Sequence, residues 1–374
     1  FFLYVLKEII QIRGGLASAI CLYSIRFLFN RKYKSFLSLV ESQSVKRKQR
    51  SLLLSGVWLL LTLFAGLRYN NADWNSYFDF YKNIANGSGE GSADIGFNLI
   101  CLFLSIFSKS PILMFVVVAG TSVAFNLNSF KKYSPFFLIC VLYYFVHLYV
   151  LKEMIQIRGG LASAICLYSI RFLFNRKYKS FWLFWLLALS IHFSVIVWAL
   201  VGLVYKYQPS LKTLKRTLFI CFAVGLICPL GQFIKLLAVG VDARLGAYIA
   251  YGDSEYAAAL GIFTNINAIK SLIVGIILLY FHDKMKNISP YFSPLLYAYI
   301  LGVCWLMLFN DFAIIGGRMS GVLLCVEPVL VSYLTILLSK RTKWFFVSIL
   351  IVVTYTMLSL NISPDKISPY QFYF

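Results

Sequence analysis

Three arginines raise the first chemical question in this sequence. Arg68 in "GLRYNNADWNSY", Arg158 in "KEMIQIRGGLASA" and Arg318 in "GGRMSG" each stand near glycines at the margin of an apolar run. A guanidinium offers a rigid planar fork of donors that matches phosphate oxygens. A helix N-terminus beside it adds backbone donors and the positive end of the helix dipole. One such arginine reads equally well as an interfacial anchor whose charged head snorkels to water. Three on one face point to a multiply charged anion such as a pyrophosphate.

His192 is the next candidate. The chain has three histidines, and His192 lies in the middle of the apolar stretch "ALSIHFSVI". A polar group at membrane depth is a functional candidate by default. A neutral imidazole can take a proton from a hydroxyl; the alternative is a structural hydrogen bond between helices. Asp73, in "ADWNSYFDFY", is the second candidate base. Around it Trp74 and Tyr77, with Asp94 further on, form a set of carboxylates and rings. Arg244 and Asp253 in "RLGAYIAYGDSEYA" form a second set. Carboxylates accept hydrogen bonds from sugar hydroxyls and rings stack on pyranose faces. Aromatic belts at a membrane interface give a similar composition.

The elements that must hold these residues are set by composition. Of 374 residues 60% are hydrophobic, 18% aromatic and 13% charged, against about 25% charged in soluble domains. Apolar runs of roughly 20 residues recur from Ser51 onward, the mark of membrane-spanning helices. The fold expected is an all-α polytopic transmembrane bundle with outer-face loops and about ten membrane segments. Strands are not expected. The net charge of +21 is gathered in short clusters such as "KRKQR", "RKYK" and "KRTK" at the ends of apolar runs. Such clusters mark the cytoplasmic side and meet anionic lipid headgroups, so membrane lipids, and not nucleic acid, are the expected partners of this charge. The eight cysteines include no CxxC pair; they read as small buried hydrophobes, and no metal site or cofactor is expected.

Positive-inside bookkeeping gives one consistent path. Residues 51–67 run outward and 68–93 form an outer loop; 94–108 are short for a crossing and lie at the outer face. Residues 111–129 run in, 135–151 run out, Lys152 to Arg158 sit at the outer surface, and 159–175 return. Residues 181–205, with basic loops at both ends, form a re-entrant pair of short helices turning near His192. Then 217–238 go out, 240–264 make a second outer loop, and 265–281, 291–309, 319–338 and 344–361 alternate. This path puts ten of the fourteen carboxylates outside, Glu153 and Asp311 among them. Glu327-Pro328, inside a span, reads as a kink or a packed polar pair.

Residues 1–36 nearly copy 146–181. Leu3–Phe36 and Leu148–Phe181 are identical at 33 of 34 positions, with Ile9 in place of Met154. Structural repeats in transporters keep only weak internal similarity, so the copy is recent or artefactual. The expectation is that 1–36 is accessory and that 37–374 is a single polytopic domain carrying the chemistry.

The pieces "FAGLRYNNADWNSYFDFY", "DIGFNLI", "IQIRGGLASAICL", "ALSIHFS", "GGRMSG" and the terminal "SPYQFYF", taken in order from Ser51 to the end, resemble the EpsG family of Wzy-like polysaccharide polymerases. The resemblance implies a bacterial inner-membrane glycosyltransferase acting on undecaprenyl-diphosphate-linked oligosaccharides at the outer face. The implied transfer is metal-independent and inverting, and serves O-antigen, capsule or exopolysaccharide. A chain-length regulator protein is a candidate partner. On this reading Arg68, Arg158 and Arg318 stabilise the departing diphosphate, and His192, or failing it Asp73, is the general base. Trp74, Tyr77, Asp94, Arg244 and Asp253 contact sugar. The alternatives are a flippase of lipid-linked oligosaccharides, which would be expected to show inverted repeats, and a membrane O-acetyltransferase.

Overall fold

The structure, a computed structural model, describes residues 47–71, 73–88, 94–231, 233, 261–361 and 367–372. The copied segment 1–36 and the candidates Arg244 and Asp253 lie outside these residues. In chain order the elements are α1 (Arg47–Gly66), β1 (Arg68–Asn71), α2 (Trp74–Ala85), α3 (Ile95–Ser105), α4 (Pro111–Tyr133) and α5 (Phe137–Tyr144). α5 runs on as a π-helix, Phe145–Ile155, and is followed by α6 (Ile157–Phe174) and α7 (Tyr178–Ile191). After a 3₁₀ stretch, Phe193–Trp198, come α8 (Ala199–Tyr207), α9 (Leu211–Ile227), α10 (Ile266–Tyr280), α11 (His282–Lys286) and α12 (Phe292–Leu308). The described residues close with α13 (Ala313–Leu323), α14 (Glu327–Leu334), α15 (Lys340–Asn361) and β2 (Ile367–Phe372).

Among the described residues four helices are long and apolar enough to cross a membrane: Pro111–Tyr133, Phe137–Ile155, Ile157–Phe174 and Ala313–Leu337. Seven shorter apolar helices accompany them. The sequence suggested about ten segments; by length and composition the structure supports four. α3 is one of the short helices. Its 11 residues rise about 16 Å, half of the roughly 30 Å hydrocarbon core, as expected for a segment too short to cross.

The chain divides into two compact units. The first holds the described residues up to Lys131, Phe137–Leu161, and those from Thr335 onward. Its helices meet where side chains are small. A Cβ on Gly66 would lie 2.7 Å from the Val116 backbone, and one on Gly120 would lie 3.1 Å from Thr62. Small residues at such crossings let membrane helices approach closely, and Trp58 Nε1 fixes the crossing by donating to the Gly120 carbonyl at 2.8 Å. α2 is amphipathic, burying Trp74, Tyr77 and Tyr81 at the three- and four-residue spacing of one helix face. Burial pushes the Tyr81 phenol above its ordinary pKa, which keeps its hydroxyl a donor to the Ser108 carbonyl at 2.8 Å.

Two expectations fail in this unit. The first is the absence of strands: β1 pairs antiparallel with β2, Arg68 opposite Phe372 and Tyr69 opposite Gln371, with an irregularity before Asn71 pairs Ile367. An isolated two-stranded ribbon is marginal, and this one is backed by α2 and the π-helix, which β1 contacts. The tail carries no long alternating pattern, so nothing local announces the strand. The second is the surface position of Lys152 to Arg158. The π-helix takes in Lys152 and Glu153, and both are buried. The i→i+5 turn is wider than an α-turn and occurs mostly as single turns near functional sites; here it persists for 11 residues.

The second unit holds Lys132–Phe136 and Ala162–Leu334. α12 is buried along most of its length and contacts α8, α9, α10 and α13, as a helix apolar all round must. A Cβ on Gly225 of α9 would meet the Met307 carbonyl, and Asn310 clamps the crossing by donating to Gly225 O at 2.9 Å and Met307 O at 2.6 Å. Asp311 is buried too and accepts from the Gly231 amide at 2.8 Å. Its placement among outer-face acids is corrected to a buried acceptor that holds the chain after α9. Glu327, buried, pairs with the half-buried Lys270 of α10, so the Glu-Pro step is the packed polar pair.

Candidate functional site

Arg158 owes its place to a break in the chain. The π-helix ends at Ile155, Gln156 turns aside at φ −91°, ψ 57°, and its amide still donates to Leu151 O. α6 then starts afresh at Ile157, with Arg158 in its first turn. Two residues on, a Cβ at Gly160 would collide with the Lys152 carbonyl. The glycine therefore lets the new helix pack directly on the end of the old one.

The guanidinium so placed faces α2 and α3. Its central carbon lies 5.6 Å from the Tyr77 ring centroid and 5.9 Å from that of Phe97, rings that meet edge to face at 6.1 Å. Both distances fall within cation–π range. Nη1 stands 3.8 Å from Asp94 Oδ2, and the two side chains are 28% and 16% exposed. At that separation the pair is an ion contact rather than a hydrogen bond. Asp94 holds its position because it precedes α3 in an extended conformation, and Asn98 N donates to its carbonyl. Three candidates named separately from the sequence, Arg158, Tyr77 and Asp94, thus converge at one partly open place.

Arg68 lies deeper in the same unit, only 1% exposed. Its Nη1 donates to Ala65 O at 2.7 Å and to the main-chain oxygen of Glu153 at 3.4 Å, and its guanidinium covers the Phe115 ring at 4.8 Å. It is an interior residue in this structure, held by backbone carbonyls. Trp74 is interior as well. Phe78 stacks on it at 4.6 Å and Phe115 at 5.9 Å, while Tyr69 meets it edge-on at 4.9 Å. Trp74 is therefore enclosed by rings in this structure. Asp73 immediately precedes α2, half-buried, with its carbonyl accepting from the Tyr77 amide.

His192 and Arg318 belong to the second unit. α7 ends at Ile191 and His192 is extended, at φ −156° and ψ 119°. The chain then folds back, with Trp185 Nε1 donating to Val195 O across the turn and the Phe181 ring against Gly202. The helix break thus falls at His192, where the sequence placed it, and the imidazole is half-buried. Arg318 lies on α13, half-buried, after Gly317, where an added Cβ would meet nothing within 4 Å. Among the described residues no three His, Cys, Asp or Glu side chains gather as metal ligands would.

The family model described as EpsG matches residues 51–372 of this chain. The chain belongs to the EpsG family. Among curated proteins it is similar to the amylovoran biosynthesis protein AmsC of Erwinia amylovora, 27% identical over 333 residues covering 85% of this chain and 88% of AmsC. No solved structure matches it significantly. The EpsG match excludes the copied segment 1–36 and ends at Phe372, the last residue of β2 and the partner of Arg68. The terminal motif therefore has a structural role: its backbone completes the ribbon that carries Arg68.

Sequence reasoning missed the group beneath this site. Glu153 Oε1 accepts from the Tyr144 hydroxyl at 2.6 Å and from Asn126 Nδ2 at 3.2 Å. All three are buried on membrane-length helices. A signal existed, since a Lys-Glu pair and the asparagines Asn126 and Asn128 inside apolar runs are costly unless partnered. Charge bookkeeping moved Glu153 to the outer surface instead.

Proposed function

We propose that this chain is a membrane polysaccharide polymerase that joins undecaprenyl-diphosphate-linked oligosaccharide units at the outer face of a bacterial inner membrane. The observation that carries the reading is Arg158 of an EpsG-family chain, seated between Tyr77 and Phe97 beside Asp94 at a partly open place. The part of AmsC in amylovoran biosynthesis supports an exopolysaccharide as the product.

In this reaction the acceptor hydroxyl oxygen bonds to the anomeric carbon of the growing chain as the bond to the lipid diphosphate breaks. The electron pair leaves with the diphosphate and the hydroxyl proton goes to a base. A diphosphate already leaves well, so the protein's work is to stabilise its charge and to activate the acceptor. Arg158 meets the diphosphate directly, and Tyr77 and Asp94 border the sugar next to it. The buried charge of Arg68 acts at longer range through a dry interior, where fields are stronger than in water. Arg318 is the third cation of the set. His192, at its helix break, is the first candidate base and Asp73 the second.

The glycan profile of a deletion strain tests the reading. A polymerase defect leaves single repeat units on their lipid carrier at the outer face, whereas a flippase defect traps them inside. Complementation with the unaltered chain restores long polymer and Arg158→Ala does not. Long chains in the deletion strain, or full rescue by Arg158→Ala at equal membrane abundance, would overturn it.

A further inference from the structure

The first unit buries three charges close together: Arg68, Lys152 and Glu153. An isolated charge in such surroundings is very costly, and removing one partner of a buried set strands the others. Glu153 is the one acid of the three. Its carboxylate takes donors from α5 through Tyr144 and from α4 through Asn126, and its main-chain oxygen takes Arg68 Nη1. One turn earlier in the π-helix, the Tyr149 hydroxyl donates to Leu61 O of α1. Its neighbour Lys152 presents the carbonyl on which Gly160 packs. Glu153 thus touches Arg68 through its main-chain oxygen and lies two residues before the end, at Ile155, of the element on which the start of α6 packs.

We propose that Glu153 is a positioning residue for the transfer reaction: its buried carboxyl group ties the π-helix to α4 through Asn126 and to the preceding turns of α5 through Tyr144, and through that segment sets both Arg68 and Arg158. The inference rests on the polymerase reading above, which supplies the diphosphate that the two arginines serve. Glu153 does not touch substrate; it acts by holding two cations in a fixed relation. The π-helical turn serves this role, since the wider turn is what brings the Glu153 carboxylate, its own carbonyl and the Lys152 carbonyl to three different partners. Relaxation to an α-helix would rotate these groups away from one another.

The test is binding of farnesyl diphosphate, a soluble prenyl diphosphate, to the full chain in lipid nanodiscs, with polymer length in complemented cells as the second readout. Glu153→Gln keeps the shape and an acceptor oxygen but removes the charge. It is expected to weaken binding roughly tenfold, the weight of one charged hydrogen bond, and to shorten the polymer. Glu153→Asp keeps the charge, and Tyr144→Phe removes one neutral donor and keeps the carboxylate; each is expected to stay within about threefold of the unaltered chain. All variants are compared at equal thermal stability, so that loss of fold is not scored as loss of binding. If the unaltered chain binds and Glu153→Gln binds equally well, the inference fails and the polymerase reading stands. If Glu153→Asp or Tyr144→Phe loses as much as Glu153→Gln, the residue acts by packing and the inference also fails. If the unaltered chain does not bind the diphosphate, or binds it regardless of Arg158→Ala, the reading falls and takes the inference with it.

Discussion

Gly160→Ala should disable the site while adding only one methyl group. Its Cβ would stand 2.8 Å from the carbonyl carbon of Lys152 and 3.4 Å from its Cα, with the carbonyl oxygen nearer still. The obstacle is backbone, so no rotamer change relieves it. The start of α6 must move by more than the about 0.6 Å that separates 2.8 Å from the 3.4 Å at which ordinary contact begins, because the carbonyl oxygen is the nearest atom. Overpacking of this kind costs about 1–3 kcal/mol, of which alanine's better helix propensity returns up to about 1 kcal/mol. The protein should therefore still fold and insert. Arg158 lies in the same turn and moves with it, away from Tyr77, Phe97 and an Asp94 contact already at 3.8 Å. Misplacement of a catalytic group by about 1 Å can lower rates 10²-fold, so a loss of tenfold to a hundredfold in polymer yield is expected. The assay is gel analysis of polymer from a complemented deletion strain, with membrane levels matched by an epitope tag. Gly56→Ala is the control, because nothing lies within 4 Å of its added Cβ. Normal polymer from Gly160→Ala, or an equal defect from Gly56→Ala, would refute the packing argument.

Arg158→Lys should fail in the same complementation assay, since a point cation keeps the charge but does not span two diphosphate oxygens; normal chain lengths would reduce Arg158 to an anchor. Asp94→Asn should tighten farnesyl diphosphate binding by roughly two- to fivefold, because the carboxylate competes with the ligand for the same guanidinium in a partly exposed pair worth about 1 kcal/mol or less; weaker binding in the same nanodisc titration would show that Asp94 orients Arg158 instead. His192→Gln should leave lipid-linked substrate bound but unjoined, with a rate loss on the order of 10²–10⁴ for a missing base. If His192→Gln makes normal polymer and Asp73→Asn makes none, the base is the loop carboxylate.

What the sequence disclosed follows from the range of the forces involved. Apolar runs report on burial one residue at a time, so the helices near 51–67, 111–129, 159–175 and 291–309 were legible to within a few residues. The break at His192 was legible because basic loops at both ends of a long apolar run are incompatible with one crossing. The β1–β2 ribbon was not, because it joins residues some 300 positions apart and neither strand has a pattern of its own. Charge bookkeeping assumes that an ionised side chain seeks water, which fails where the chain supplies partners. Glu153 has Tyr144 and Asn126, and Asp311 has the Gly231 amide. Composition likewise does not tell an aromatic that faces a ligand from one enclosed, as Trp74 is, by Phe78 and Phe115.

The two arginines of the first unit differ in a way that suits one task. Arg68, 1% exposed and held by two carbonyls, is a fixed charge whose field is not screened by water. Arg158, partly exposed between two rings, is a charge that a ligand can reach. Asp94 beside it occupies, in the resting protein, a place at the guanidinium for which the proposed diphosphate would compete. A cation held in advance needs little reorganisation when negative charge develops on the leaving group, and that economy is the source of electrostatic catalysis. Arg68 is held by the Ala65 and Glu153 main-chain oxygens on a ribbon that β2 completes, so the residues that would carry the proposed chemistry and those that hold them are drawn from both ends of the EpsG match.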